Sequence, residues 1–225
     1  MFINRVMHQI NKTSKLNKNQ FGFRPQTSTV DAIMTVKDFV EENLRNKNSV
    51  ALISLDVQGA FDSAWWPSIL NALIKFNCPK NLYNITKSYL SDRRCTLSAN
   101  NLTVERDLSR GCPQGSCCGP SLWNIQYDSP LNLHYKPDTK VIAFADDVLV
   151  MIKGKSSLII ENKANVKIKK ISNWAKNNKI TFNTSKTQVM LVSRKKPKTA
   201  PKLSIHLNHG TIRQTWYAHR KKVQI

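Results

Sequence analysis

VIAFADDVLVMI, residues 141–152, carries two adjacent aspartates, Asp146 and Asp147, inside an otherwise apolar run. Val141, Ile142 and Phe144 before them, and Val148 to Ile152 after them, have the β-branched and apolar character of buried strand. The run reads most easily as a hairpin with the two aspartates at or near its tip. Buried carboxylates are expensive unless something offsets their desolvation, and a bound cation is the usual compensation. A second apolar run, VALISLDV (50–57), reads as another buried strand, with Asp56 at its end. If the two strands are neighbours, Asp56, Asp146 and Asp147 form one acidic cluster. Three carboxylates with free water positions suit two Mg²⁺ ions roughly 3.5–4 Å apart. Taken alone, an Asp-Asp pair is more often just an exposed turn.

The flanking sequence supplies the frame. Thr27 to Leu44 reads as a helix through Val30, Ile33, Met34, Phe39 and Val40. Pro67 opens a second helix with Ile69, Leu70, Leu73 and Ile74 on one face, and a third follows through Leu82, Tyr83, Ile85, Tyr89 and Leu90. CTLSANNLTV (95–104) is a hairpin turning at Asn100-Asn101. Pro120 to Tyr127 and the Lys-rich stretch 157–177 are helical, ITFN and TQVMLVS are strand-like, and KLSIHLNHGTI is a last hairpin turning at His209-Gly210. Residues 1–19 read as a polar remnant with little periodicity, and 196–225 as a basic C-terminal tail. This order predicts an α+β domain, an antiparallel sheet with helices on one face.

Charge narrows the partner. The chain has 35 Lys and Arg against 14 Asp and Glu, a formal charge of +21. Beyond Asp147 the only acidic residue is Glu161. A basic C-terminal third combined with a small acidic pocket fits phosphoryl transfer on nucleic acid. The five cysteines are odd in number, and Cys112, Cys117 and Cys118 lack a fourth ligand and a C-x-x-C pair, which disfavours zinc and suits a reducing, intracellular setting; nucleus and cytoplasm are both compatible. No apolar run approaches the ~20 residues of a membrane span.

RGCPQGSCCGPSLWN (110–124) is a Gly/Pro-rich loop leading into a helix, whose backbone could approach a sugar or base edge; the bland reading is an ordinary turn. Taken with FADD, LDVQGAFD and the upstream QFGFRPQTST (20–29), it resembles a reverse transcriptase of the non-LTR (LINE-type, jockey-like) retrotransposons. The shared motifs run in the family's order from about Gln20 to Val192: Q-x-G-F-R, A-F-D-x-x-W-W, S-R-G-C-P-Q-G-S, G-P-x-L-W-N and N-x-x-K-T.

The resemblance implies a right-hand polymerase palm with partial fingers over residues 20–195, its antiparallel sheet packed on helices. It implies RNA-directed DNA polymerase activity with an RNA template, a DNA primer and dNTP, and two Mg²⁺ ions (or Mn²⁺). Asp56, Asp146 and Asp147 match the family's metal ligands, with the Val57 carbonyl as a further one. Phe61 matches the aromatic that excludes a ribose 2′-OH, with core packing as its alternative. Gln114 and Gly115 match the loop lining nucleotide and template. Lys186 matches a lysine near the triphosphate that could protonate pyrophosphate; its alternative is a plain surface charge. Arg24 touches the triphosphate or braces the fingers. Trp65 and Trp66 read as packing. Lys163, Lys167, Lys169 and Lys170 are expected to contact nucleic-acid phosphates.

Departures from the family's pattern accompany the match. A Y-R-P-I-S segment is absent before Gln20, a Y-L-G primer-grip turn is absent downstream, and endonuclease and zinc-knuckle motifs are absent. The expectation is therefore a fragment with weak or lost activity. The alternatives are a catalytically inactive, basic nucleic-acid-binding remnant and a group II intron maturase; S-R-G-C-P-Q-G-S and A-W-W favour the non-LTR group.

Overall fold

The two aspartate-bearing runs are adjacent strands. The structure, a computed structural model, describes residues 2–13, 16–100, 102–133, 135–194, 202–207 and 210–219. In chain order the elements are α1 (Phe2–Thr13), α2 (Thr29–Arg45), β1 (Ser49–Leu55), α3 (Ala60–Ser63), α4 (Trp66–Lys75), α5 (Lys80–Leu90), β2 (Arg94–Ala99) and β3 (Leu102–Asp107). They continue with α6 (Gly119–Leu131), β4 (Thr139–Phe144), β5 (Asp147–Gly154), α7 (Ser157–Asn177), β6 (Gln188–Ser193), β7 (Ile205–Leu207) and β8 (Gly210–His219). The chain forms two units: Met1–Asn17, Gly59–Ser129 and Asn178–Ile180 in one, and Lys18–Gln58, Pro130–Asn177 and Thr181–Ile225 in the other.

The second unit is built on a six-stranded sheet in the order β4-β5-β1-β6-β8-β7. The pairs β4–β5, β5–β1, β1–β6 and β7–β8 are antiparallel, as the sequence predicts, whereas β6–β8 is parallel. Strand alternation gives the sheet two apolar faces. On one, Val50, Leu52, Met151 and Val192 pack with Ala32, Val36, Phe39, Val40 and Leu44 of α2. On the other lies α7: a Cβ at Gly154 would sit 2.8 Å from Cγ1 of Ile160. Helices therefore cover both faces, which corrects the expected one-sided arrangement. The near-continuous apolar character of β1 and β5 is what a sheet covered on both sides demands.

The face by which α2 docks also differs from expectation. Val30, Ile33 and Met34 are exposed, and the buried stripe runs through Ala32, Val40, Asn43 and Leu44. Its start is fixed by Ser28, whose hydroxyl and backbone N–H exchange hydrogen bonds with Asp31 in a capping box. β7 and β8 form the expected last hairpin, with Leu207 opposite Gly210; residues 208 and 209 lie outside the described residues, as do 195–201 and 220–225 of the basic tail.

The first unit is mainly helical. Residues 2–13, expected to be a polar remnant, form a helix because Ile3, Val6 and Ile10 recur on one face and are buried. α6 is buried along most of its length, polar residues included: Gln126 Oε1 accepts from the Trp65 N–H, and Asp128 Oδ1 from the Asn17 N–H. β2 and β3 pair from Arg94–Asp107 to Ala99–Leu102 as the expected hairpin strands; residue 101 of the expected turn lies outside the described residues.

Candidate metal centre

The site is assembled at one end of the sheet. β1 and β5 pair antiparallel up to Leu55–Val148, so the next residues outward, Asp56 and Asp147, stand opposite each other and on the same face. β4 and β5 close at Phe144–Asp147, leaving Ala145 and Asp146 as a two-residue hairpin loop. Ala145 has φ +59°, a positive value at the first loop position as in II′-type turns. Glycine is the usual occupant there, so alanine in that conformation is strained.

The carboxylates are not deeply buried: Asp56 and Asp146 are half-buried and Asp147 is exposed. Partial burial pushes the Asp147 carboxyl above its ordinary range, and the like charges of Asp146 and Asp56 push it further. Among the described residues no three His, Cys, Asp or Glu side chains close into a cage around one point. The influence of Asp146 and Asp56 on Asp147 nonetheless makes the three aspartates electrostatically coupled neighbours. Carboxylate oxygens with an adjacent peptide carbonyl suit a hard cation such as Mg²⁺. Val57 bridges to Phe182 through its neighbours, with Gln58 N–H donating to Thr181 O and Asn183 N–H to Asp56 O. That pattern leaves the Val57 carbonyl out of the bridge.

Two segments hold the backbone of these aspartates, and sequence reading assigned neither that role. The first is Gln20. Its Nε2 donates to Ala145 O (3.1 Å), and its Oε1 accepts from the N–H groups of Ala145 (3.1 Å) and Gly22 (3.0 Å). The second is the N-T-S-K-T turn. Asp56 N–H donates to Thr187 Oγ1 (3.4 Å), Asn183 N–H donates to Asp56 O (2.8 Å), and Thr187 Oγ1 donates to Asn183 O (2.8 Å). The available signal was only that both segments belong to recognisable motifs. Lys186 is exposed on this same turn. Arg24 Nη1 donates to Gln20 O (3.3 Å).

The expected basic patch divides. Lys169 and Lys170 are exposed on α7. Lys163 instead pairs with Asp138 at 3.0 Å and donates to Lys153 O. Lys167 is only 5% exposed and lies near Asp138, so it is not placed to meet a phosphate. Of the four expected phosphate contacts, Lys169 and Lys170 are therefore the exposed ones, Lys163 is engaged by Asp138, and Lys167 is corrected to a buried residue.

Phe61, Gln114 and Gly115 belong to the first unit. The Phe61 ring lies 6.2 Å from that of Trp123, and a Cβ on Gly119 would come 3.3 Å from its edge. Its carbonyl accepts from Cys112 N–H, Gly111 N–H donates to Ala64 O, and Trp66 Nε1 donates to Gly111 O (2.8 Å). These bonds fasten the R-G-C-P-Q-G loop to the A-F-D-S-A-W-W segment and leave Gln114 and Gly115 exposed, Gly115 at φ +76°.

Comparison with known proteins agrees with this architecture. Residues 2–221 match the family model described as reverse transcriptase (RNA-dependent DNA polymerase). The chain is 33% identical over 173 residues to the putative 115 kDa protein in type-1 retrotransposable element R1DM of Drosophila melanogaster, covering 77% of this chain and 16% of that protein. It is 30% identical over 193 residues to the RNA-directed DNA polymerase from mobile element jockey of the same organism, covering 83% of this chain and 21% of that one. The chain thus spans about a fifth of the length of these relatives. Among solved structures, Candida albicans telomerase in complex with a fragment of telomeric RNA aligns with TM-score 0.67 at 13% identity, over 95% of this chain and 36% of that one. Truncated apo telomerase from Candida tropicalis aligns with TM-score 0.64 at 14% identity, over 91% and 42%. The fold is that of a polymerase palm, and the chain belongs to the reverse transcriptase (RNA-dependent DNA polymerase) family.

Proposed function

We propose that this chain carries the nucleotidyl-transfer centre of an RNA-directed DNA polymerase from a non-LTR mobile element. The observation that carries the reading is the register that sets Asp56 beside Asp147, with Asp146 in the adjoining loop. The reaction is attack of a primer 3′-OH on the α-phosphate of a dNTP, with pyrophosphate leaving. Asp56, Asp146, Asp147 and the Val57 carbonyl would hold two Mg²⁺ ions. When bound, these ions supply Lewis-acid activation of the attacking hydroxyl and stabilisation of the leaving phosphate oxygens.

The remaining roles fall to the chain's own residues. Phe61 excludes a 2′-OH from the incoming sugar. Gln114 and Gly115 present side chain and backbone to the nucleotide and template. Lys186 delivers a proton to the departing pyrophosphate. Lys169 and Lys170 contact phosphates of the template or primer.

The test is paired. Mn²⁺ binding is followed by electron paramagnetic resonance for the wild-type chain and Asp146→Asn, alongside primer extension on an RNA template. The expected result is Mn²⁺ binding that Asp146→Asn weakens, salt-sensitive nucleic-acid binding, and weak extension. Extension depends on how the primer terminus is held, because misplacing it by about 1 Å costs on the order of 100-fold. Nucleic-acid binding with no Mn²⁺ binding would favour the inactive, basic remnant instead.

A further inference from the structure

We propose that Gln20 is a positioning residue of the metal centre: its side-chain amide sets the conformation of the Ala145–Asp146 loop, and thereby where Asp146 and Asp147 stand. The inference rests on the reading of these aspartates as metal ligands.

Gln20 is 2% exposed, so its amide has no water to bond with. Three hydrogen bonds tie it to the loop and to its own approach to it. Nε2 takes the Ala145 carbonyl, and Oε1 takes the Ala145 and Gly22 N–H groups. The side chain thus closes a two-point ring on one peptide residue. That residue is the one at positive φ, immediately before Asp146. A hairpin loop of two residues has few ways to join its strands, and fixing both polar groups of the first selects one of them.

The alternative is that Gln20 only helps to attach its own segment to the sheet. Attachment is already provided by the backbone. Phe21 N–H donates to Ala143 O and Ala143 N–H donates to Asn19 O, each at 2.8 Å. Neither bond involves the Gln20 side chain. The neighbouring glycine supports the same role: a Cβ on Gly22 would lie 2.7 Å from Ala145 Cα and 2.9 Å from Phe144 C. The segment approaches the loop so closely that only glycine fits, which brings the Gln20 amide within reach. Residues that orient metal ligands typically change metal affinity by about 10–100-fold when removed, without touching the metal.

The experiment uses the whole 225-residue chain and the substitution Gln20→Met, which keeps length and removes the hydrogen-bonding groups. Amide hydrogen exchange is read at Ala145 and at Val150 and Ile53 in the sheet, and Mn²⁺ affinity by electron paramagnetic resonance. In the wild type, Ala145 is expected to exchange slowly for a hairpin-loop amide. In Gln20→Met it should exchange at least about tenfold faster with Val150 and Ile53 unchanged, and Mn²⁺ should bind about tenfold more weakly. Fast exchange at Ala145 in the wild type would overturn the proposal with no variant needed. So would unchanged exchange and affinity in Gln20→Met, or a loss of protection spread evenly over the sheet, which would assign Gln20 to general stability. If the wild type binds Mn²⁺ and Asp146→Asn abolishes it, the metal reading stands whatever Gln20 does. If the wild type binds none, that reading fails, while Ala145 exchange still decides whether the loop is held.

Discussion

Replacing Gly22 by alanine adds one methyl group where the structure has no room. The added Cβ would meet Ala145 Cα at 2.7 Å and Phe144 C at 2.9 Å, and would lie closer still to Ala145 N. All three are backbone atoms of the aspartate hairpin, so no side chain can rotate away. Reaching an ordinary 3.4 Å contact with Ala145 Cα alone requires a shift of about 0.7 Å. Overpacking of this kind typically costs about 1–3 kcal/mol, and the upper end applies because backbone must move on both sides. The same shift displaces Asp146 and Asp147, which follow directly in the chain. Urea unfolding should therefore show a lower midpoint with unchanged slope, and Mn²⁺ affinity should fall by roughly tenfold or more. A Gly22→Ala protein with wild-type midpoint and Mn²⁺ affinity would refute the reasoning, because it would mean that the close approach is not a constraint.

Four further outcomes are expected. Thr187→Val keeps shape but strips the hydroxyl that links Asp56 N–H to Asn183 O, and should cost about 1–3 kcal/mol in urea unfolding because the site is 1% exposed. Lys169→Gln with Lys170→Gln should flatten the slope of log K against log salt for single-stranded RNA by roughly 0.7 for each phosphate that is no longer neutralised, whereas replacing Lys167 should leave the slope unchanged. Asp147 has its folded pKa raised, so its contribution to stability is complete below the unfolded value and is lost as pH rises through the folded one; Asp147→Asn should therefore raise the metal-free melting temperature more at pH 7 than at pH 3. Burial pushes the Cys112 thiol up to about 12, so maleimide at pH 7 should label exposed Cys95 and Cys117 and reach Cys112 only on unfolding.

The parts legible in the sequence are those whose signal is local. β1, β4 and β5 are dense apolar runs that end at Asp56, Asp146 and Asp147, so the strands and the place of the three aspartates at their ends could be named directly. α2 was legible as a helix but not in its orientation. Its apolar residues lie on two stripes, and only packing decides that Ala32, Val40 and Leu44 go inward while Val30 stays 63% exposed. α1 was hidden by its Asn, Gln and Lys content, although three well-spaced aliphatics suffice to dock a short helix. Lys167 was misread because it lies on the buried stripe of α7 with Ile160, Ala164, Ile168 and Ile171, and a lysine stem packs readily on apolar surface.

The same limit explains why Gln20, Gly22, Asn183 and Thr187 carried no assigned role. None bears chemistry, and each acts on a backbone more than 120 residues distant: Gln20 on Ala145, and Thr187 on Asp56. Three like charges at one sheet end repel, and the loop that presents two of them passes through a strained alanine. Strain of that type costs about 1–2 kcal/mol. Each buried hydrogen bond from Gln20 to Ala145 contributes about 0.5–1.5 kcal/mol, so the pair is of the size needed to hold the loop as it is. Neither anchor needs a cation to form, because each joins protein groups only. The backbones of Asp56 and of the Ala145–Asp146 loop are therefore held by the protein's own groups. Q-F-G and N-T-S-K-T thus act on the same end of the sheet: each fixes the stretch of backbone from which an aspartate side chain starts.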